Sequence, residues 1–187
     1  KTLKKAEIKP SKNLIQNHVT VNSRIKQNII ISSKHSNSWL NDFDYAQEEG
    51  NVFHEIMEEI SSKKDVIIVL NKFYDLGVID DVQKEEFKKN ILEIINHTDL
   101  NKYYNEGVIS FNEREIISKN GAILVPDRLV FLNNSEVTVI DYKTGSESLS
   151  HINQLNKYEG VLQEMNIKVV GKILIYIGGE IKIKHCE

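Results

Sequence analysis

The chain has 187 residues, 40% of them hydrophobic and 27% charged, enough for one domain with its own core and ordinary for a globular protein. A net charge of −3 argues against nucleic-acid binding by bulk electrostatics, and no apolar run reaches the roughly 18 residues of a membrane span. The single cysteine, Cys186, excludes an internal disulfide framework and a four-cysteine zinc or iron–sulfur site within the chain; a free thiol in a reducing cytoplasm is the expectation.

In chain order, residues 1–34 are basic: Lys1, Lys4, Lys5, Lys9, Lys12, Arg24, Lys26 and Lys34 stand against Glu7 alone. They read as a solvated linker or an arm touching phosphates, with the folded domain expected over 35–187. A start at Lys1 rather than Met, after which comes this linker-like lead, leads us to expect a portion of a longer protein. Ile29-Ile30-Ile31 reads as a short strand and Ser36-Asn37-Ser38 as a loop. A helix is predicted over Gln47–Ser61, because Phe53, Ile56, Met57 and Ile60 recur at i, i+3, i+4 and i+7. Lys64–Leu76 forms a second helix stopped by Gly77. Asp80 or Asp81 caps a third that runs to Asn96 with Phe87, Ile91, Ile94 and Ile95 inward. Thr98–Asn105 is expected to add a helical turn or two.

From there the period changes to two. Val108–Ile117, Ala122–Leu132 and Glu136–Tyr142 read as strands, separated by Asn120-Gly121 and Asn133-Asn134-Ser135. A helix over Ser150–Met165, with Ile152, Leu155, Leu162 and Met165 inward, is followed by strands Lys168–Ile177 and Glu180–Lys184, joined at Gly178-Gly179. Helices, three strands, a helix and two strands make an α/β domain with a mixed central sheet flanked by helices.

Chemistry concentrates at Pro126-Asp127 and Asp141-Tyr142-Lys143. Alternate strand residues share a face, so Asp141 and Lys143 point the same way. If Asn133, Asn134 and Ser135 form a three-residue loop, Leu132 faces Glu136 and, counting back, Asp127 faces Asp141. Their Cβ atoms are then about 5 Å apart, close enough for one cation to bridge both carboxylates. A two-residue turn would put the acids on opposite faces. Paired carboxylates repel unless a proton or cation separates them, and magnesium suits one or two carboxylates with phosphate and water. Lys143 can orient an attacking water or neutralise developing charge.

Five motifs in order extend this reading: Gly50-Asn51-Val52-Phe53-His54, Asn112-Glu113-Arg114-Glu115-Ile116, Pro126-Asp127-Arg128, Asp141-Tyr142-Lys143-Thr144-Gly145, and Gln154-Leu155-x-x-Tyr158. Together, over about residues 46–177, the chain resembles the RecB/AddA-type nuclease family of the PD-(D/E)xK superfamily, the C-terminal nuclease domain of UvrD-like helicase–nucleases. The resemblance implies a restriction-endonuclease-like core with N-terminal helices. It implies a Mg2+- or Mn2+-dependent deoxyribonuclease, an exonuclease more than an endonuclease, acting in double-strand-break repair. His54, Asp127 and Asp141 would hold metal, Lys143 would be the catalytic lysine, and one of Glu113 and Glu115 would support the site; strand parity does not separate the two glutamates, and the family pattern favours Glu115. Gln154 and Tyr158 would line the cleft and position the DNA backbone or the active-site strand, and Arg128 would contact phosphate or pair with an acid. His151 is read as starting its helix without chemistry.

The implied partners are single-stranded DNA, the helicase motor of the same parent chain and a possible second subunit. The implied setting is the bacterial cytoplasm at the nucleoid, with no iron–sulfur cluster and no membrane. No P-loop motif is present, so a motor would lie outside this sequence. The alternative is an inactive nuclease fold kept for guiding DNA or docking a subunit.

Overall fold

The structure, a computed structural model, describes residues 42–187, with side chains from Glu49 onward. The expectations for the basic 1–34 segment, the Ile29–Ile31 strand and the 36–38 loop lie outside the described residues. Helix α1 (Asp42–Glu59) buries Phe53, Ile56 and Met57 as the spacing requires. Helix α2 (Asp65–Asp75) buries Val66, Val69, Leu70 and Phe73 and ends before Gly77, whose φ of 70° suits a residue without a Cβ. Helix α3 (Asp81–Asn96) is capped by Asp80. The Asp80 carboxylate accepts from Val82 N and Gln83 N at 3.0 and 2.9 Å, and Gln83 Oε1 accepts from Asp80 N. Such a reciprocal cap stabilises a helix by about 1 kcal/mol. The helical segment expected over Thr98–Asn105 is one 3-10 turn, Asn101–Tyr103.

Two of the expected strands are each broken in the middle. Val108–Ile117 becomes β1 (Ile109–Asn112) and β2 (Ile116–Ile117), and Ala122–Leu132 becomes β3 (Ile123–Leu124) and β4 (Arg128–Asn133). Pro126 has no N–H to give a ladder, and Glu113 sits at φ 47°, outside strand geometry. The short pieces β2 and β3 form their own ribbon. The main sheet is completed by β5 (Glu136–Thr144), β6 (Lys168–Ile177) and β7 (Lys182–Cys186), in the order β1-β4-β5-β6-β7. Only β5 and β6 pair in parallel, with helix α4 (Leu149–Glu164) as their crossover, so the sheet is mixed. Strand β7 starts two residues later than expected, because Gly178 and Gly179, both at positive φ, lead a wider loop than a tight turn.

The turn between β4 and β5 differs from the three-residue loop expected. Asn133 pairs with Glu136 across a two-residue turn, and a bulge between Phe131 and Asn133 absorbs Leu132. The bulge restores the register, so that Phe131 faces Val137 and Arg128 faces Ile140. Asp127, one residue before β4, therefore still meets β5 at the level of Asp141.

Helices α1–α3 pack on one sheet face over Val130, Ile140, Tyr142, Ile173 and Ile175. Helix α4 packs on the other through Leu155, Tyr158, Val161 and Leu162, over Leu129, Val139, Leu174 and Tyr176. Met165, expected inward, is 46% exposed; the helix stops before it and Val161 fills the core position. Strand β5, covered on both faces, is buried from Val137 through Tyr142. No described helix is long and apolar enough to cross a membrane.

Candidate metal centre

The breaks in the two strands build the site. Asn112, the last residue of β1, donates from Nδ2 to Glu58 O and Ile60 O at 2.8 and 3.0 Å, tying the strand end to the C-terminus of α1. The chain then turns at Glu113, whose N–H donates to Asp127 O at 3.0 Å. On the opposite side, Tyr158 Oη donates to Val125 O at 3.0 Å and accepts from Gln154 Nε2 at 2.6 Å. This holds the Val125–Asp127 segment where the main ladder has lapsed. Gln154 and Tyr158 thus act on the strand carrying the acid.

Asp127 turns its carboxylate toward β5, where Oδ2 accepts from Tyr142 N at 2.7 Å. His54, on α1, brings Nδ1 to 3.4 Å from the same oxygen, its ring edge-on to Tyr142 with centroids 6.1 Å apart. Ligand atoms of His54, Glu113 and Asp127 all lie within 4.8 Å of one another, so these three residues could hold a metal ion. The glutamate is Glu113, not the expected Glu115: Glu115 lies beyond the break, exposed, because strand alternation does not continue through a residue at positive φ.

Asp141 stands outside this group of three. It is fully buried, with Oδ2 2.6 Å from Lys143 Nζ in an ion pair, while Oδ1 has no hydrogen-bond partner. Burial pushes the Asp127 carboxyl well up, the charge of Asp141 pushes it further, and the Tyr142 amide offsets part of this. Burial likewise raises Asp141, against the pull of Lys143. Glu113 is raised by burial and then by Glu58 and Asp141. The His54 imidazole is lowered by burial and by Lys143, against Asp141, a direction that favours the neutral form a metal ligand requires. Three carboxylates that raise or are raised by one another share one paired ammonium, that of Lys143 at Asp141, and an orphaned buried oxygen remains. That is a surplus of negative charge in low dielectric, and a set of carboxylates with one imidazole is chemically suited to a divalent cation.

Arg128, expected to line the cleft or pair with an acid, does neither. It points to the opposite sheet face, fully buried, and donates to Ile60 O, Ser61 O, Tyr103 O and Asn112 Oδ1 at 2.8–2.9 Å. Residue alternation along β4 sends Arg128 away from Asp127.

The sequence left Glu113 open beside Glu115 and read His151 as without chemistry. Glu113 was signalled by the polar run Asn112-Glu113-Arg114-Glu115 in the middle of an expected strand, a composition that marks a break. His151 had no sequence signal. It lies on the first turn of α4, with Nδ1 3.1 Å from Tyr176 Oη, and only the packing of α4 on β6 puts it there.

Gly50 positions α1. A Cβ at this residue would meet Thr144 Oγ1 at 2.6 Å, so the helix rests backbone-first on the end of β5, one turn before His54. Gly50→Ala is expected to push α1 outward at a cost of about 1–3 kcal/mol, with Mn2+ affinity falling about tenfold. Thermal melts and Mn2+ titration check this; unchanged affinity would show that α1 has slack at this contact.

Neither described cavity contains the cluster. One of about 630 Å³ opens past the ends of β5 and β6, walled by Glu49, Glu86, Glu147, Glu180 and Tyr176 among others; another of about 360 Å³ runs beside Val125, Gln154, Lys157 and Tyr158. No protein-family model and no curated protein matches the chain. A solved structure titled "Crystal structure of SSO0001" aligns over 76% of this chain and 76% of its own at 15% identity, with a TM-score of 0.31, a likeness too slight to carry an argument.

Proposed function

We propose that residues 42–187 contain the core of a divalent-metal-dependent deoxyribonuclease of the PD-(D/E)xK type. The observation that supports this is the convergence of His54, Glu113 and Asp127 within 4.8 Å, next to the Asp141–Lys143 ion pair. The motifs that resemble the RecB/AddA-type nucleases contain all five residues of that constellation. Mg2+ or Mn2+ is the cation of choice for a carboxylate-rich set with phosphate as the remaining ligand.

His54, Glu113 and Asp127 would hold the cation, with Asp141 as a further carboxylate available to it. When bound, the metal supplies Lewis acidity at the phosphate oxygens and lowers the pKa of a water. Lys143 keeps its ammonium at Asp141, on the side where the phosphate gains negative charge as water attacks, and stabilises that charge. The Tyr142 amide fixes the aim of Asp127, and Tyr158 with Gln154 fixes the backbone before it. The net charge of −3 fits a domain to which DNA is delivered by a linked helicase motor. Single strands and exonucleolytic action follow from the same resemblance.

The test is digestion of end-labelled single- and double-stranded DNA with Mg2+, Mn2+ or EDTA, beside Lys143→Ala. We expect cleavage in either metal, none in EDTA, and a loss of at least ~10²-fold in the variant. A chain that cuts no DNA in either metal, or cuts equally well without Lys143, would sink the reading.

A further inference from the structure

We propose that His151 is a substrate-contacting residue of this site, its Nε2–H donating to a non-bridging oxygen of the bound DNA phosphate, and that Tyr176 is the positioning residue that sets its tautomer. The inference rests on the nuclease reading and adds to it a contact that the sequence motifs do not contain.

The geometry is a lateral row. Lys143 on β5 pairs with Tyr176 on β6 in the parallel ladder, so the two side chains stand next to each other on one face of the sheet. Lys143 Nζ is 2.6 Å from Asp141. Tyr176 Oη is 3.1 Å from His151 Nδ1, and the two rings are 5.7 Å apart at 41°. Acid, lysine, tyrosine and histidine therefore run from the centre of the sheet to the first turn of α4. When the phenol donates to Nδ1, the proton of the neutral imidazole resides on Nε2, which becomes a donor directed away from Tyr176.

The site needs such a donor. A phosphodiester brought to a cluster of three carboxylates needs groups that favour negative charge. Arg128 is committed to three backbone carbonyls and Asn112 on the other face of the sheet, which leaves Lys143, shared with Asp141, to serve the phosphate against three carboxylates. His151 lies in the N-terminal turn of α4, beside Leu149 and Ser150, where the positive end of a helix favours an anion. Burial and the Lys143 charge lower its pKa, in keeping with a neutral ring, which can donate from one nitrogen while accepting at the other.

The test uses the full 187-residue chain and three readouts on wild type, His151→Ala, His151→Gln and Tyr176→Phe. Mn2+ affinity is measured by calorimetry. Affinity for a labelled single-stranded oligonucleotide is measured with Ca2+ replacing Mg2+. The His151 tautomer is read from long-range 1H–15N spectra before and after oligonucleotide. His151→Ala should keep wild-type Mn2+ affinity and melting temperature while losing about ten- to a hundredfold in oligonucleotide affinity, the range expected for a hydrogen bond to a charged group. His151→Gln, which retains an N–H near the position of Nε2, should recover most of that loss. Tyr176→Phe should weaken binding less and release the Nε2–H tautomer, whose 15N signal should otherwise shift on oligonucleotide addition. Wild-type oligonucleotide affinity in His151→Ala, an unmoved Nε2 signal, or a fall in melting temperature and Mn2+ affinity together would overturn the proposal, the last by showing a packing role. Absence of Mn2+ binding by the wild type would instead sink the nuclease reading on which the proposal rests.

Discussion

On the proposed nuclease reading, Asp127→Asn is expected to lower metal-dependent cleavage by at least ~10³-fold, and in EDTA at neutral pH to make the protein more stable than the wild type. The two outcomes share one cause. Burial and the charge of Asp141 raise the Asp127 carboxyl well above the ordinary range, so the folded protein binds this proton more tightly than the unfolded chain does. The stability this proton contributes is fully present below the unfolded pKa of about 3.9. It is lost as pH rises through the higher folded value, leaving a buried charge that destabilises the fold at pH 7–8. Asparagine removes that charge and still offers an oxygen to Tyr142 N. A relief of about 1 kcal/mol raises the melting temperature by about 2–4 °C in a chain of this size. The gap between variant and wild type should close as pH falls toward 4. With Mn2+ at a hundred times its Kd, the wild type gains about 2.7 kcal/mol and the order reverses. Melts across pH with EDTA or Mn2+, run beside the cleavage assay, check each limb. A variant less stable than wild type at pH 8 in EDTA, or one that cleaves at more than a hundredth of the wild-type rate, refutes the account.

Arg128→Met carries the largest cost to the fold. The guanidinium is fully buried among Ile60 O, Ser61 O, Tyr103 O and Asn112 Oδ1, and its Cζ lies 4.3 Å from the centroid of the Tyr104 ring. Ile60 and Ser61 follow directly on α1, whose C-terminal end carries partial negative charge, so the arginine neutralises a helix end whose following carbonyls it bonds directly. It also ties α1, the 3-10 turn and β1 to β4. Its removal takes the side-chain donor from Ser61 O, Tyr103 O and Asn112 Oδ1, while Ile60 O keeps the Asn112 amide, at a cost of about 3–5 kcal/mol, or roughly 10–15 °C. Arg128→Lys should recover less than half, since one ammonium does not span four acceptors held in a fork. Thermal denaturation is the measurement, and a methionine variant within 3 °C of wild type would refute this. The fraction that stays folded should bind oligonucleotide as the wild type does, because Arg128 faces away from the acids.

Much of the fold was legible from local periodicity. The stripe Phe53, Ile56, Met57 and Ile60 is buried as its 3.6-residue spacing requires, and Asp141 and Lys143 share a face as two-residue alternation requires. Both patterns are set by neighbours within a few residues along the chain. The turn after β4 was misread, yet the register came out as expected because the bulge at Leu132 compensates for the shorter turn. Sequence shows that Asn and Ser permit a turn there, not where an unpaired residue will sit.

Periodicity, alternation and capping residues, acting over one to five positions, determined by themselves the order of the helices and strands, the face that α1 buries, and the shared direction of Asp141 and Lys143. Tertiary structure alone decided that Glu113 rather than Glu115 reaches His54 and Asp127, that Arg128 is walled in behind the sheet, and that His151 stands by Tyr176. Each of these depends on where strands end or on how a helix is seated across the sheet. Such contacts join residues 14 to 68 positions apart, and the energy that selects them is that of buried charge and backbone carbonyls finding partners through space, which no local pattern records.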